Sequence, residues 1–172
     1  PVTMAPPSHF DPEHVWFPAL FAGHAAIALF LLLWWRLRGD TGLRNFLSLG
    51  PGRWKQKLRQ GAIYGLACWL FAIATTVTIG SFAQTVGGAA SVDPPAMVVW
   101  MAELSLPRKL LIVLVSTTVE EAFFRAFLQP RVGWMTASIL FALGHFSYGL
   151  PLLVVGVFAV ALVIGRCYER TG

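Results

Sequence analysis

Val15-Trp-Phe-Pro-Ala-Leu-Phe-Ala-Gly-His24-Ala-Ala-Ile-Ala-Leu-Phe-Leu-Leu-Leu-Trp34-Trp35 is a run of 21 residues without Asp, Glu, Lys or Arg. A helix that crosses the ~30 Å hydrocarbon core of a bilayer needs about 20 such residues. The run ends on Trp34-Trp35, the residue type that settles at a membrane–water boundary. His24 lies inside it and is read as a satisfied structural group. The preceding segment is acidic, with Asp11 and Glu13, and the run is long; both features exclude a cleaved signal peptide.

The same pattern recurs along the chain. Residues 36–59 form a basic connector with Arg36, Arg38, Arg44, Arg53, Lys55, Lys57 and Arg59 against Asp40. Gly50-Pro51-Gly52 marks a turn in it, and Arg53 to Arg59 reads as a short interfacial helix anchored by Trp54. Gln60 to Val92 carries no charge, and its part 61–85 reads as a second span. Gly61 and Gly65 have the spacing of a close helix contact. Gly87 to Pro95 is a loop, and Met97 to Met101 an interfacial segment. A third span runs over 107–129, opened by Pro107 and closed by Pro130. Val132 to Gly165, 34 residues without Asp, Glu, Lys or Arg, exceeds one crossing; Ser147-Tyr-Gly-Leu-Pro151 divides it into spans 132–147 and 151–166.

The fold class expected is therefore all-α, a polytopic membrane helix bundle of about five spans. Residues 1–14 form an outer N-terminal segment and residues 15–172 a single membrane domain. Basic residues set the orientation: the 36–59 connector is cytoplasmic and the N-terminus outside, in a bacterial cytoplasmic membrane. Arg108-Lys109 falls on the outer edge, with snorkelling as its only rationale.

Composition agrees. Only 12% of the 172 residues are charged and 56% are hydrophobic, against about 25% charged in soluble domains. A disordered chain is excluded and a soluble enzyme disfavoured. The +5 net charge reflects loop topology and does not indicate a nucleic-acid partner. Cys68 and Cys167 have no metal-binding spacing, and no disulfide is expected between them.

The third span holds the chemistry. Leu110-Leu-Ile-Val-Leu-Val-Ser-Thr-Thr-Val-Glu120-Glu121-Ala-Phe-Phe-Arg125 places three ionisable residues in its inner half. Each costs ~2.5–3.5 kcal/mol at a bilayer centre on insertion scales. Glu121 and Arg125 are four residues apart and share a helix face, where they can pair. Glu120 lies about 100° around the helix and needs its own partner. Phe141-Ala-Leu-Gly-His145 on the fourth span supplies one, offset in depth by roughly 7–8 Å before tilt. A carboxylate and an imidazole around one water form an acid/base pair suited to hydrolysis.

Glu120-Glu121-x-x-x-Arg125 followed by Phe141-x-x-x-His145 resembles the two leading motifs, EExxxR and FxxxH, of the CAAX-protease and bacteriocin-processing (CPBP, or ABI) family. The resemblance covers roughly residues 45–172. It implies an intramembrane glutamic endopeptidase. In it Glu120 is the general base, Glu121 and Arg125 position it, and His145 binds and polarises the water. Phe124 and Phe141 shape the substrate pocket. The implied substrate is membrane-associated: prenylated, bacteriocin-like or membrane-anchored. No HExxH is present, so no metal or other cofactor is assigned, and no GxSxG supports a serine mechanism. The family's third motif, HxxxN or HxxxD, is expected on a further span beyond Gly172. A chain without it would be a non-catalytic relative: a scaffold, an immunity factor or a subunit of a larger membrane complex. A proton-relay transporter is disfavoured, because no inverted repeat is present.

Overall fold

The long helices coincide with the charge-free runs, and the first continues through Pro18. The computed structural model describes residues 12–38, 42–47, 54–87, 96–146 and 151–171. Among these residues every regular element is helical, as expected. The predicted Gly50–Gly52 turn, the loop at 88–95, the break at 147–150 and residues 1–11 lie outside the described residues.

Helix α1 (Pro12–Arg38) contains the first predicted span and ends in Arg36 and Arg38. A single turn, α2 (Leu43–Phe46), follows. Helix α3 runs unbroken from Trp54 to Gly87. Of the separate interfacial helix expected at 53–59, residues 54–59 are instead the first turns of α3. At about 1.5 Å per residue α3 is longer than a ~30 Å core, so its basic end extends past the apolar part. Helix α4 (Ala96–Glu103) is the short apolar segment predicted there.

Two of these helices are long and apolar enough to cross a membrane: His14–Arg38 within α1 and Arg59–Phe82 within α3. They are not the core helices of a soluble globule. Only 6% of the first apolar window and none of the second is buried inside the protein. Leu29, Leu32, Leu33, Ile63, Leu66, Trp69, Val77 and Phe82 all stand at least half exposed. Contiguous apolar surface of this extent needs lipid or a partner to cover it.

The third predicted span is one rod. Helix α5 (Leu106–Glu120) passes through a π-helical stretch, Glu121–Leu128, into α6 (Gln129–Val132), with ordinary right-handed backbone at both junctions. Pro107 sits in the first turn, as expected. Pro130 does not end the rod, which corrects the predicted boundary. A proline inside an α-helix forfeits the bond to residue i−4 and its ring meets that carbonyl. Here Gln129 N–H already bonds five residues back, to Phe124 O. The register is displaced just before Pro130, which takes an early position in α6, where no N–H is required. The rod ends at Gly133, whose φ of 83° and ψ of 158° are accessible essentially to glycine alone.

Helix α7 (Trp134–Gly144) has 11 residues and α8 (Pro151–Thr171) has 21. The former is about 16 Å long, half of a bilayer core. The latter continues beyond the predicted boundary at 166, so Arg166 to Arg170 are helical.

Side-chain contacts fix the packing directions. Trp16, Phe17, Leu20 and Phe21 of α1 pack with Met97, Trp100 and Met101 of α4 around Leu104 and Ile112. Further along, Phe30 meets Phe123 and Phe127, and Trp34 meets Phe127. The pairings advance together along both helices, so α1 and the α5–α6 rod run parallel. Ser138 bonds to the carbonyl of Ala161, and Arg166 lies over Trp134, which makes α7 and α8 antiparallel. Arg38 and Arg131 both lie over the Trp34 ring, gathering basic and aromatic groups at one end. Lys109 donates to the carbonyl of Ala102 in the last turn of α4 at 2.7 Å. That contact, favourable at a helix C-terminus, accounts for a basic residue at the opposite end.

Gly133→Ala forces a Cβ into that backbone conformation, although nothing lies within 4 Å to clash with it. We expect a loss of about 1–3 kcal/mol from backbone strain alone. A thermal unfolding midpoint in detergent equal to wild type would contradict this.

Candidate active site

Winding of the α5–α6 rod separates the three ionisable groups. Glu120 closes the regular α-helical part, whereas Glu121 and Arg125 lie on the π-helical stretch. Stretches of π-helix are rare and frequently sit at functional sites.

Glu121 and Arg125 pair as predicted, with Arg125 Nε 3.6 Å from Glu121 Oε2. Arg125 is 1% exposed. Its guanidinium carbon also stands 5.3 Å from the centre of the Phe141 ring, a cation–π arrangement. None of its three side-chain nitrogens has a hydrogen-bond partner. The charge is therefore held by the Glu121 carboxylate and the aromatic face.

Arg125 belongs to a buried polar cluster that the sequence reading missed. Gln129 donates to the carbonyl of Gly165 at 2.8 Å. Ser138, fully buried, donates to the carbonyls of Trp134 and Ala161. The cluster joins the rod to α7 and α8. Its two bonds to α8 span 36 and 23 residues, and no local pattern announces such contacts.

The residues of the second motif join the same assembly. Phe124 packs edge-on against Phe141, with ring centres 5.0 Å apart. Phe141 lies 4.5 Å from the His145 ring. His145 Nδ1 is 2.8 Å from the carbonyl of Phe141. A carbonyl only accepts, so Nδ1 carries a proton. Arg125, Phe124, Phe141 and His145 are thus contiguous.

Glu120 has a partner that the sequence did not assign. His24 Nε2 of α1 is 3.1 Å from Glu120 Oε1, and His24 Nδ1 is 2.7 Å from the carbonyl of Leu20. The sequence points to His145 as the partner and reads His24 as structural. The available signal was His24 itself, an imidazole in a charge-free run. Only the packing of helices 96 residues apart could match it to Glu120.

Glu121 faces a cleft of about 530 Å³ between α3, the rod and α8, shared with Gly61, Gly65, Cys68, Cys167 and Tyr168. Nothing lies within 4 Å of a Cβ placed on Gly61 or Gly65. They border the cleft and do not make the tight helix contact their spacing suggested. That approach occurs at Gly156, against Thr75 and Ile79. Cys68 and Cys167 form no disulfide, and their side chains meet at this cleft. Among the described residues no group of three His, Cys, Asp or Glu is placed to hold a metal ion.

Residues 102–172 match the family model described as type II CAAX prenyl endopeptidase Rce1-like. The match supports the assignment to the CAAX-protease and bacteriocin-processing family carried by the two motifs, all of which fall within it. A stretch of 69 residues is 39% identical to the uncharacterized protein YpbD of Bacillus subtilis (strain 168). The alignment covers 40% of this chain and 36% of that protein, so the chain spans about a third of its relative. No solved structure matches the chain.

Two glycines of α8 give a paired test. A Cβ on Gly165 would lie 3.2 Å from Gln129 Oε1, 3.3 Å from Ser138 Oγ and 3.6 Å from Arg125 Nη1, whereas one on Gly156 meets ordinary contacts at 3.6 and 3.8 Å. We expect Gly165→Ala to lower stability by about 1–3 kcal/mol relative to Gly156→Ala. Equal unfolding midpoints for the two variants would show that the polar cluster does not constrain the packing.

Proposed function

We propose that this chain, assigned through residues 102–172 to the CAAX-protease and bacteriocin-processing family, is an intramembrane endopeptidase that hydrolyses a peptide bond with water activated by Glu120. The observation that carries this reading is the division of labour on the rod. Glu121 compensates the buried Arg125, while Glu120 turns to a different helix and is held there through Oε1 by His24. Its Oε2 is the oxygen that takes a proton.

The chemistry follows. Glu120 accepts a proton from water as the water oxygen bonds to the scissile carbonyl carbon. The C–N bond then breaks, and the same proton passes to the departing amine. His145, oriented by the bond of its Nδ1 to a backbone carbonyl, binds and polarises the attacking water. Phe124 and Phe141 wall the site and exclude solvent. Side chains that act directly in proton transfer contribute about 10²–10⁴-fold to rate.

The substrate is a membrane-associated peptide, prenylated, bacteriocin-like or membrane-anchored. The cleft beside Glu121, within the usual 300–1,000 Å³ range of ligand pockets, accepts its apolar part. We place the N-terminus outside and residues 36–59 in the cytoplasm. The parallel course of α1 and the rod, and the shared basic end at Arg38 and Arg131, support that orientation. Lipid is the immediate partner of α1 and α3.

Glu120→Gln and His145→Ala should each reduce cleavage of a lipidated peptide in liposomes by about 100-fold or more, with far-UV circular dichroism unchanged. Full activity in both variants would refute the mechanism. A wild-type chain that folds, inserts and never cleaves would favour the non-catalytic role of scaffold or subunit.

A further inference from the structure

We infer that His24 is a positioning residue that shares a proton with Glu120 and holds it as an ionised base. The inference rests on the general-base role proposed for Glu120, but its physical core does not need that role.

The carbonyl of Leu20, 2.7 Å from His24 Nδ1, can only accept a hydrogen bond. Nδ1 therefore carries a proton. A neutral imidazole has one N–H, so in the neutral ring Nε2 is a bare acceptor. An ionised carboxylate is also only an acceptor. Nε2 and Glu120 Oε1 are nevertheless 3.1 Å apart, in a setting where the two side chains are 14% and 23% exposed. Two lone pairs facing each other at that distance, away from water, repel. One proton must lie between them. With it on nitrogen the pair is imidazolium and carboxylate.

That state suits the proposed reaction. Oε1 is fixed by His24, and Oε2 is left to take the proton of the attacking water. His24 keeps both of its protons throughout, so the balance of the hydrolysis is unchanged. Its positive charge keeps Glu120 ionised before the water arrives.

Packing holds the pair in place. His24 lies between the aromatic cluster around Trp100 and the one around Phe127. The other titratable groups that interact with Glu120 are Glu121 and Arg125 on the same rod. Helix α4, packed against α1 nearer its start, carries only Glu103, which is exposed. His24 also lies outside residues 102–172, so the proposed site draws on a helix that the family match does not include.

The test is nitrogen NMR of ¹⁵N-histidine-labelled full-length chain in lipid nanodiscs, with the His24 signals assigned by their loss in His24→Gln. In the wild type at neutral pH we expect both His24 nitrogens protonated. In Glu120→Gln, whose amide can donate to Nε2, we expect a neutral ring protonated on Nδ1. A His24 signal unchanged between the two proteins, or a ring protonated on Nε2 alone, overturns the inference. A cleavage assay with a lipidated peptide separates this from the function. His24→Gln should lower kcat on the order of tenfold or more, move the acidic limb of the pH profile, and leave KM unchanged. A purely structural loss would not move the limb. If Glu120→Gln is inactive while His24→Gln keeps the wild-type kcat and pH profile, the inference fails and the general-base reading stands. If Glu120→Gln cleaves normally, the general-base reading fails, and the NMR comparison alone decides the proton pair.

Discussion

An ionised side chain in an apolar bundle must be compensated where it stands, and that requirement organises this protein. Glu120, Glu121 and Arg125 each find a different solution. Arg125 is enclosed by Glu121 and the face of Phe141. Glu121 divides itself between Arg125 and the cleft. Glu120 reaches across to His24. The parallel packing of α1 on the rod, fixed by aromatic contacts on both sides of that pair, serves to bring it about.

The polar cluster on the other side of the rod performs a complementary task. Gln129, Ser138 and the backbone of α8 tie α7 and α8 to the segment that carries Arg125. Phe141 and His145 are thereby held against Arg125 and Phe124. The rod is consequently held from both sides: α1 meets Glu120 through His24, and α7 meets Arg125 and Phe124 through Phe141.

What the sequence made legible was local. The charge-free runs delimited α1 and the apolar part of α3, and four-residue spacing paired Glu121 with Arg125. The same spacing put His145 beside Phe141. What it concealed depended on backbone register or distant packing. The π-helical stretch leaves no mark on apolar periodicity, and it let the rod continue past Pro130 to Gly133. The Gly61–Gly65 pair carried the pattern of a close contact but borders a cleft, because α8 approaches α3 at Gly156 instead. Cys68 and Cys167, and likewise His24 and Glu120, are far apart in the chain, and only the helix arrangement unites them.

The central claim is that Glu120 delivers water to the substrate and does not itself attack it. A single turnover in ¹⁸O-water tests this most directly, followed by mass spectrometry of both the cleaved peptide and the protein. General-base catalysis predicts one ¹⁸O in the new peptide carboxylate and none in the Glu120 side chain. Label appearing in Glu120 would reveal a covalent acyl intermediate and contradict the mechanism.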